Sequence, residues 1–103
     1  MRISVGSDHR GLEVKNRAAE LLARLGHDVC DEGTNSSESV DYPDVATVVA
    51  NKVATGQVER GILVCGTGIG MSITANKVPG VRAATCNDAV TAEISRRHND
   101  VNV

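Results

Sequence analysis

The chain of 103 residues contains no tryptophan and no phenylalanine, and its only aromatic side chain is that of Tyr42. Its core must therefore be built from valine, isoleucine, leucine and alanine. Side chains of this size suit a parallel β-sheet covered by helices on both faces, because strands buried on both sides are rich in aliphatic residues. At this length we expect a single domain, residues 1–103.

The sequence also has little net charge and no long apolar run. Its formal charge of −2 gives no reason to expect nucleic acid or an anionic membrane as a partner. No stretch approaches the roughly 20 apolar residues of a transmembrane helix, and polar residues 7–10 interrupt the N-terminus where a secretory leader would be apolar. The three cysteines lack the spacing of a metal site, which is typical of free thiols in a reducing compartment. We therefore expect a cytoplasmic protein.

Apolar periodicity divides the chain into alternating strands and helices. The predicted strands are 2–6, 27–31, 61–65 and 81–86, and the predicted helices are 12–25, 42–55, 71–77 and 88–97. This alternation predicts an α/β fold, a doubly wound, Rossmann-like open parallel sheet in three αβα layers. Residues 101–103 resemble the start of a fifth strand that is not completed, which predicts an open sheet edge next to the fourth strand.

The first predicted helix carries an apolar stripe at helical spacing, and we expect that stripe to be buried with Lys15 on another face. The stripe consists of Val14, Ala18, Leu21, Leu22 and Leu25.

The most distinctive stretch is 61–71, in which a buried strand ends in a turn with three glycines at alternate positions and a helix then begins. Backbone N–H groups at such a turn attract anions, and the helix dipole strengthens this preference. The turn lacks the spacing of a dinucleotide fingerprint and the Lys-Ser/Thr pair of a P-loop. Two interpretations remain: a plain glycine-rich connection with Cys65 buried beside it, or an oxyanion or phosphate cradle with a thiol at its lip.

Five motifs occur in an order that resembles a known family. They are Gly6-x-Asp8-His9-x-Gly11, Asp41-Tyr42-Pro43, the stretch 61–70, Ala75-Asn76-Lys77 and Ser95-Arg96-x-His98-Asn99-Asp100. Together they resemble ribose-5-phosphate isomerase B, a family that also contains the galactose-6-phosphate isomerase subunits, and the match covers essentially the whole chain. The resemblance implies interconversion of ribose 5-phosphate and ribulose 5-phosphate by a homodimer or homotetramer, without metal or organic cofactor.

The same resemblance implies roles for single residues. Cys65 matches the base that moves a proton between C2 and C1 through a cis-enediolate, Thr67 matches a hydroxyl beside that base, and His98 matches the residue that opens the sugar ring. The amides of the glycine turn would hold the enediolate oxygens. The implied substrate-binding positions are Asp8, His9, Tyr42, Gly66, Gly68, Ile69, Gly70 and Asn99. Without the resemblance, Asp8 is better explained as a helix N-cap and Tyr42 as an anchor of its helix.

The chain departs from the family pattern in two ways. The family continues for several dozen residues through a fifth strand and a C-terminal helix, a segment that carries phosphate-binding arginines and helps form the dimer. Arg10 stands where the family usually has a small residue, and we expect it to supply part of the charge that binds the phosphate. Two alternatives stay open: the same chemistry on a six-carbon sugar phosphate such as allose or galactose 6-phosphate, or an inactive, truncated sugar-phosphate-binding remnant.

Overall fold

The computed structural model describes residues 1–103 and contains three strands and four helices. The strands are β1 (Arg2–Ser7), β2 (Asp28–Asp31) and β3 (Arg60–Val64). The helices are α1 (Leu12–Arg24), α2 (Tyr42–Ala54), α3 (Ile69–Asn76) and α4 (Ala89–Asn99), and a short 3-10 turn, His9–Gly11, precedes α1. No helix combines the length and the apolar character needed to cross a membrane.

The strands form one parallel sheet in the order β2-β1-β3. Val5 of β1 lies opposite Asp31 of β2 and Ile62 of β3, so the three strands end at one common edge. Helix α1 packs on all three strands, while α2 packs on β1 and β3 with α3 beside it. This arrangement confirms the predicted doubly wound α/β fold.

Glycines in two strands allow α2 to approach the sheet closely. A Cβ atom at Gly6 would lie 2.5 Å from Cγ1 of Val45, and one at Gly61 would lie 2.6 Å from Cγ1 of Val49. A helix at this distance leaves no room for aromatic side chains, which agrees with their scarcity in the sequence. The buried apolar residues are Ile3, Val5, Ala46, Val49, Ala50, Val53, Val58, Met71, Ala75 and Val81.

The prediction for the faces of α1 was wrong. Lys15 is completely buried, whereas Val14, Leu21 and Leu25 of the expected core stripe are 57%, 50% and 64% exposed. The reason is that the ammonium group of Lys15 finds oxygen partners at the end of β2, with its Nζ atom 2.8 Å from Oδ1 of Asp31. A buried ammonium group is tolerated when it is paired and hydrogen-bonded in this way.

The predicted fourth strand, residues 81–86, is also wrong, because this segment belongs to no β-ladder. Residues 101–103 lie between it and β3, so the segment has no strand long enough to pair with. The Gly61 N–H donates to the carbonyl of Asn102 at 2.9 Å, and the Asn102 N–H donates to the carbonyl of Arg82 at 2.9 Å. The open sheet edge is therefore that of β3 beyond Gly61, and not an outer edge beside residues 81–86 as expected.

Candidate active site

The turn that follows β3 brings the thiol of Cys65 against backbone amides. Gly68 has a left-handed conformation with φ of +79°, which glycine adopts without the steric penalty of a side chain. In this conformation the Gly68 N–H donates to Sγ of Cys65 at 3.1 Å. The N–H of Ile69 donates to Oγ1 of Thr67 at 3.2 Å, which leaves the hydroxyl proton of Thr67 available to a ligand.

Four other amides of the same turn have no hydrogen-bond acceptor within the chain. They belong to Gly66, Thr67, Gly70 and Met71. Three of these residues lie at or near the first turn of α3, where the helix dipole places partial positive charge. The turn therefore offers several N–H donors to an anionic group, with a thiol in contact with one further donor. This geometry matches the cradle interpretation better than a plain connection.

Tyr42 covers the start of α3. A Cβ atom at Gly70 would lie 2.6 Å from Cζ and 3.0 Å from Oη of Tyr42, so the ring rests directly on the glycine backbone. Gly70 is required here for close packing. Its amide has no acceptor within the chain, and Tyr42 is 40% exposed beside it.

The turn that follows β1 lies next to this site and is held by Asp8. Oδ1 of Asp8 accepts the N–H groups of Arg10 and Gly11, each at 3.0 Å, so the predicted capping role is present in the structure. Gly11 packs against the end of β3, since a Cβ atom there would lie 2.5 Å from the carbonyl oxygen of Val64. The two turns are therefore in direct contact at the carboxyl edge of the sheet.

Arg10 and His9 extend from the β1 turn. A Cβ atom at Gly66 would lie 3.5 Å from both Cδ and Nη1 of Arg10, so this side chain reaches the glycine turn. The guanidinium group forms none of the ion pairs of the chain, and its donors are available to an anion. Nδ1 of His9 accepts the N–H of Val40 at 3.3 Å.

An open cleft of about 810 Å³ separates β3 from the segment 83–87. Among the predicted site residues, Cys65, Gly66, Thr67 and Gly68 line this cleft. The cleft thus gives the thiol and the glycine turn access from solvent.

His98 and Asn99 are not brought to the cleft. Both lie exposed in the last turn of α4, and neither side chain forms a hydrogen bond within the chain. The N-terminus of α4 is capped by Asp88, because its Oδ1 atom accepts the N–H of Thr91 at 2.7 Å. Hydrogen bonds from the backbone and then the side chain of Thr91 hold the pKa of Asp88 below its usual value.

Two polar residues near the site were not singled out from the sequence. Asn76 donates from Nδ2 to the carbonyl of Ala83 at 2.9 Å and accepts the Ala83 N–H at 2.8 Å, which ties α3 to the wall of the cleft. Lys15 is the other. The Ala-Asn-Lys motif was a signal for Asn76, whereas a lone lysine within a helix gave no signal for burial.

Comparison with known proteins identifies the family. A family model described as Ribose/Galactose Isomerase matches residues 3–103. The chain belongs to the ribose/galactose isomerase family.

Individual members of the ribose/galactose isomerase family are close in sequence and structure. The chain is 49% identical over 102 residues to ribose-5-phosphate isomerase B of Escherichia coli, an alignment that covers 99% of this chain and 68% of that protein. Ribose-5-phosphate isomerase B of Clostridium thermocellum superimposes with a TM-score of 0.97 at 52% identity, covering 99% of this chain and 69% of that chain. The type B ribose 5-phosphate isomerase of Trypanosoma brucei gives a TM-score of 0.94 at 48% identity, with 99% and 70% covered.

Proposed function

We propose that this protein interconverts D-ribose 5-phosphate and D-ribulose 5-phosphate by proton transfer through a cis-enediolate. The observation that carries the proposal is the Gly68 N–H, which donates to Sγ of Cys65 at 3.1 Å within a turn that has four unpaired amides. An amide that donates to the sulfur favours the thiolate, and the thiolate is the form that can accept a proton. Family membership supports the same reaction class.

In the proposed reaction Cys65 removes the proton from C2 of the open-chain aldose. The electron pair of the broken C–H bond forms the C1–C2 double bond of the enediolate. The amides of Gly66 and Gly70 donate to its oxygens, an interaction that contributes roughly 3–4 kcal/mol per well-placed donor in other enzymes. The thiol then returns the proton to C1, and the Thr67 hydroxyl shifts a proton between the two oxygens. No net oxidation or reduction occurs.

Substrate binding is assigned to the residues around this turn. Asp8, His9 and Tyr42 would contact the sugar or its phosphate, and Arg10 would add positive charge for the phosphate. His98 would open the furanose ring by proton transfer to the ring oxygen, with Asn99 beside it, a task suited to imidazole near neutral pH. Because both residues lie outside the cleft, this step requires a second copy of the chain to supply them, which fits a homodimer or homotetramer.

The test is the conversion of ribose 5-phosphate to the ketose by wild-type protein and by two variants. Cys65→Ala is expected to lower turnover by roughly 10²–10⁴-fold, the usual contribution of a positioned base. Cys30→Ala is the matched control, because this thiol lies in β2 and outside the cleft. Equal turnover in wild type and Cys65→Ala would refute the mechanism. A folded wild-type chain without turnover would favour the inactive remnant.

The second candidate is the same reaction on a six-carbon sugar phosphate. The family model names both ribose and galactose, and the turn chemistry is common to both substrates. Relative turnover of ribose 5-phosphate, allose 6-phosphate and galactose 6-phosphate by the same preparation decides between them, with the pentose expected to be fastest.

A further inference from the structure

Lys15 does not line the cleft, and its position is unusual for a lysine. Its side chain is completely buried. Its Nζ atom lies 2.8 and 2.9 Å from the two carboxylate oxygens of Asp31, 2.7 Å from the carbonyl oxygen of Thr34 and 3.1 Å from Oδ1 of Asn35. Because an ammonium group has three donors and no acceptor, these oxygens use its full hydrogen-bonding capacity. The partners come from the end of β2 and from the loop after it.

The same loop is joined to the end of β1. The Thr34 N–H donates to the carbonyl of Ser7 at 2.9 Å, and the Ser7 N–H donates to the carbonyl of Gly33 at 2.7 Å. Oδ1 of Asp31, which Lys15 holds, also accepts the Gly33 N–H at 2.9 Å. Lys15 thus fixes the loop at the residue that directly precedes Asp8 and His9.

Side-chain to backbone hydrogen bonds continue along the loop from this anchor. The Ser36 N–H donates to Oγ1 of Thr34 at 3.4 Å, and the Glu38 N–H donates to Oγ of Ser36 at 3.2 Å. Two residues later, the Val40 N–H donates to Nδ1 of His9 at 3.3 Å. Hydrogen bonds therefore hold most of the loop between the buried ammonium group and the imidazole, and only the backbone of residues 38–40 joins the Glu38 contact to the Val40 contact.

The contact with Val40 defines the chemical state of His9. A backbone N–H can only donate, so Nδ1 must accept and carries no hydrogen. In the neutral imidazole the hydrogen then sits on Nε2, and the partner at one nitrogen fixes the tautomer at the other. Nε2–H is a hydrogen-bond donor, which suits an anionic oxygen of a sugar phosphate.

We propose that Lys15 is a positioning residue that holds the loop 31–41 so that the Val40 N–H keeps His9 in its Nε2–H tautomer. That the Nε2–H group of His9 binds substrate rests on the proposed function. The tautomer of His9 is independent of the proposed function, because it is a property of the free protein. Lys15 therefore acts on the site indirectly. It anchors a loop at the end of β2, and β1 lies between β2 and the strand β3 that lines the cleft.

The test is long-range ¹H–¹⁵N NMR of protein labelled with ¹⁵N-histidine, at about pH 8, where an ordinary histidine with a pKa of about 6.5 is neutral. His9→Gln assigns the signals by their disappearance. In wild type we expect well-separated ¹⁵N shifts for His9, with Nδ1 unprotonated and Nε2 protonated. Val40→Pro removes the N–H donor and should bring the two shifts together, as in exposed His98, whereas Val40→Ala keeps the donor and should leave them apart.

Lys15→Met removes the ammonium group while keeping an unbranched side chain, and we expect it to average the His9 shifts as Val40→Pro does. If Lys15→Met does not fold, Asn35→Ala removes one Lys15 contact from an exposed side chain, and partial averaging is expected. A wild-type His9 pattern in the folded Lys15 or Asn35 variant would overturn the proposal, and so would a proton on Nδ1 in wild type. Isomerase activity does not enter this readout, so its absence would refute the proposed function alone.

Discussion

The turns after β1 and β3 lie in contact at the same edge of the sheet, yet their backbone amides are used differently. In the β1 turn the carboxylate of Asp8 accepts the N–H groups of Arg10 and Gly11, so the protein supplies its own anion. In the β3 turn no carboxylate is present, and among its side chains only Sγ of Cys65 and Oγ1 of Thr67 accept amide protons. The Arg10 and Gly11 amides of the first turn are thus already paired, whereas the amides of the second turn are open to an external anion.

The difference assigns separate tasks to the two turns. The β1 turn holds Gly11 against Val64 and projects Arg10 over the neighbouring turn, so it acts as a support. The β3 turn keeps donors unpaired beside a thiol, as expected of a site that stabilises charge developing during a reaction. Four substitutions test this difference between the two turns.

Gly68→Ala should have the largest effect because it distorts the open turn. A side chain at φ of +79° costs about 1–2 kcal/mol, and the new Cβ atom would lie 3.3 Å from Cγ2 of Thr85. Displacing the Gly68 N–H from Cys65 is expected to lower kcat by roughly 10²-fold. Gly56→Ala is the matched control, since Gly56 has the same φ of +79° with no atom within 4 Å. Both variants should lose a similar free energy of unfolding in urea. A similar loss of kcat in both variants would show that the contact between the Gly68 N–H and Cys65 has no specific role in turnover.

Asp8→Ala should make the β1 turn resemble the β3 turn, because it leaves the Arg10 amide unpaired and the Gly11 amide with the Asp8 backbone carbonyl as its only acceptor. Loss of a capping side chain costs about 1–2 kcal/mol in the free energy of unfolding. Asp8→Asn retains the Oδ1 acceptor and should recover most of this stability. Urea titrations of the three proteins give the comparison, and an asparagine variant as unstable as the alanine variant would show that hydrogen bonding is not the cause.

Arg10→Ala should weaken anion binding at the β3 turn without changing the hydrogen bonds that Asp8 accepts in the β1 turn. Because a hydrogen bond between charged groups contributes roughly 1.5 kcal/mol, we expect KM for the phosphorylated sugar to rise about tenfold. Arg17→Ala is the control, as this arginine pairs with Glu13 on the exposed surface of α1. Steady-state kinetics decide, and an unchanged KM in Arg10→Ala would exclude a phosphate-binding role.

The smallest expected effect concerns Asp88, whose carboxylate caps α4 as Asp8 caps the β1 turn. Its pKa is lowered in the folded protein by the hydrogen bonds from Thr91. Its contribution to stability is therefore complete above the ordinary aspartate pKa of about 3.9 and is lost as pH falls through the lower folded-state value. Asp88→Asn cannot titrate, so the melting temperature of wild type should drop relative to this variant towards about pH 3. If the difference in melting temperature between the two proteins stayed constant over this pH range, titration of Asp88 would not contribute to stability.

Features that depend on a few neighbouring residues could be predicted from the sequence. Three features follow from local rules: the glycine turn beside Cys65, the helix that begins at Tyr42 and the cap at Asp8. The structure contains each of them. The fold class followed from alternation of strands and helices. These features do not require knowledge of which segments meet in space.

Features that depend on distant partners were missed. Periodicity placed Lys15 outside the core. The helical pattern contains no information about Asp31 and Thr34, whose oxygen atoms accept hydrogen bonds from the buried ammonium group. The extended segment 81–86 was assigned to the sheet because its composition is that of a strand, although its pairing depends on residues 101–103. His98 remains a predicted site residue whose route to Cys65 depends on assembly, which no local pattern encodes.

Whether Cys65 removes a proton from the substrate can be measured as exchange of the C2 hydrogen of ribose 5-phosphate in heavy water, followed by proton NMR. If the thiol of Cys65 removes this hydrogen, wild type and Cys30→Ala should exchange it with solvent. Cys65→Ala should exchange it no faster than a sample without protein. Exchange at the wild-type rate in Cys65→Ala would show that another group removes the proton, and the role assigned to the open turn and its thiol would be wrong.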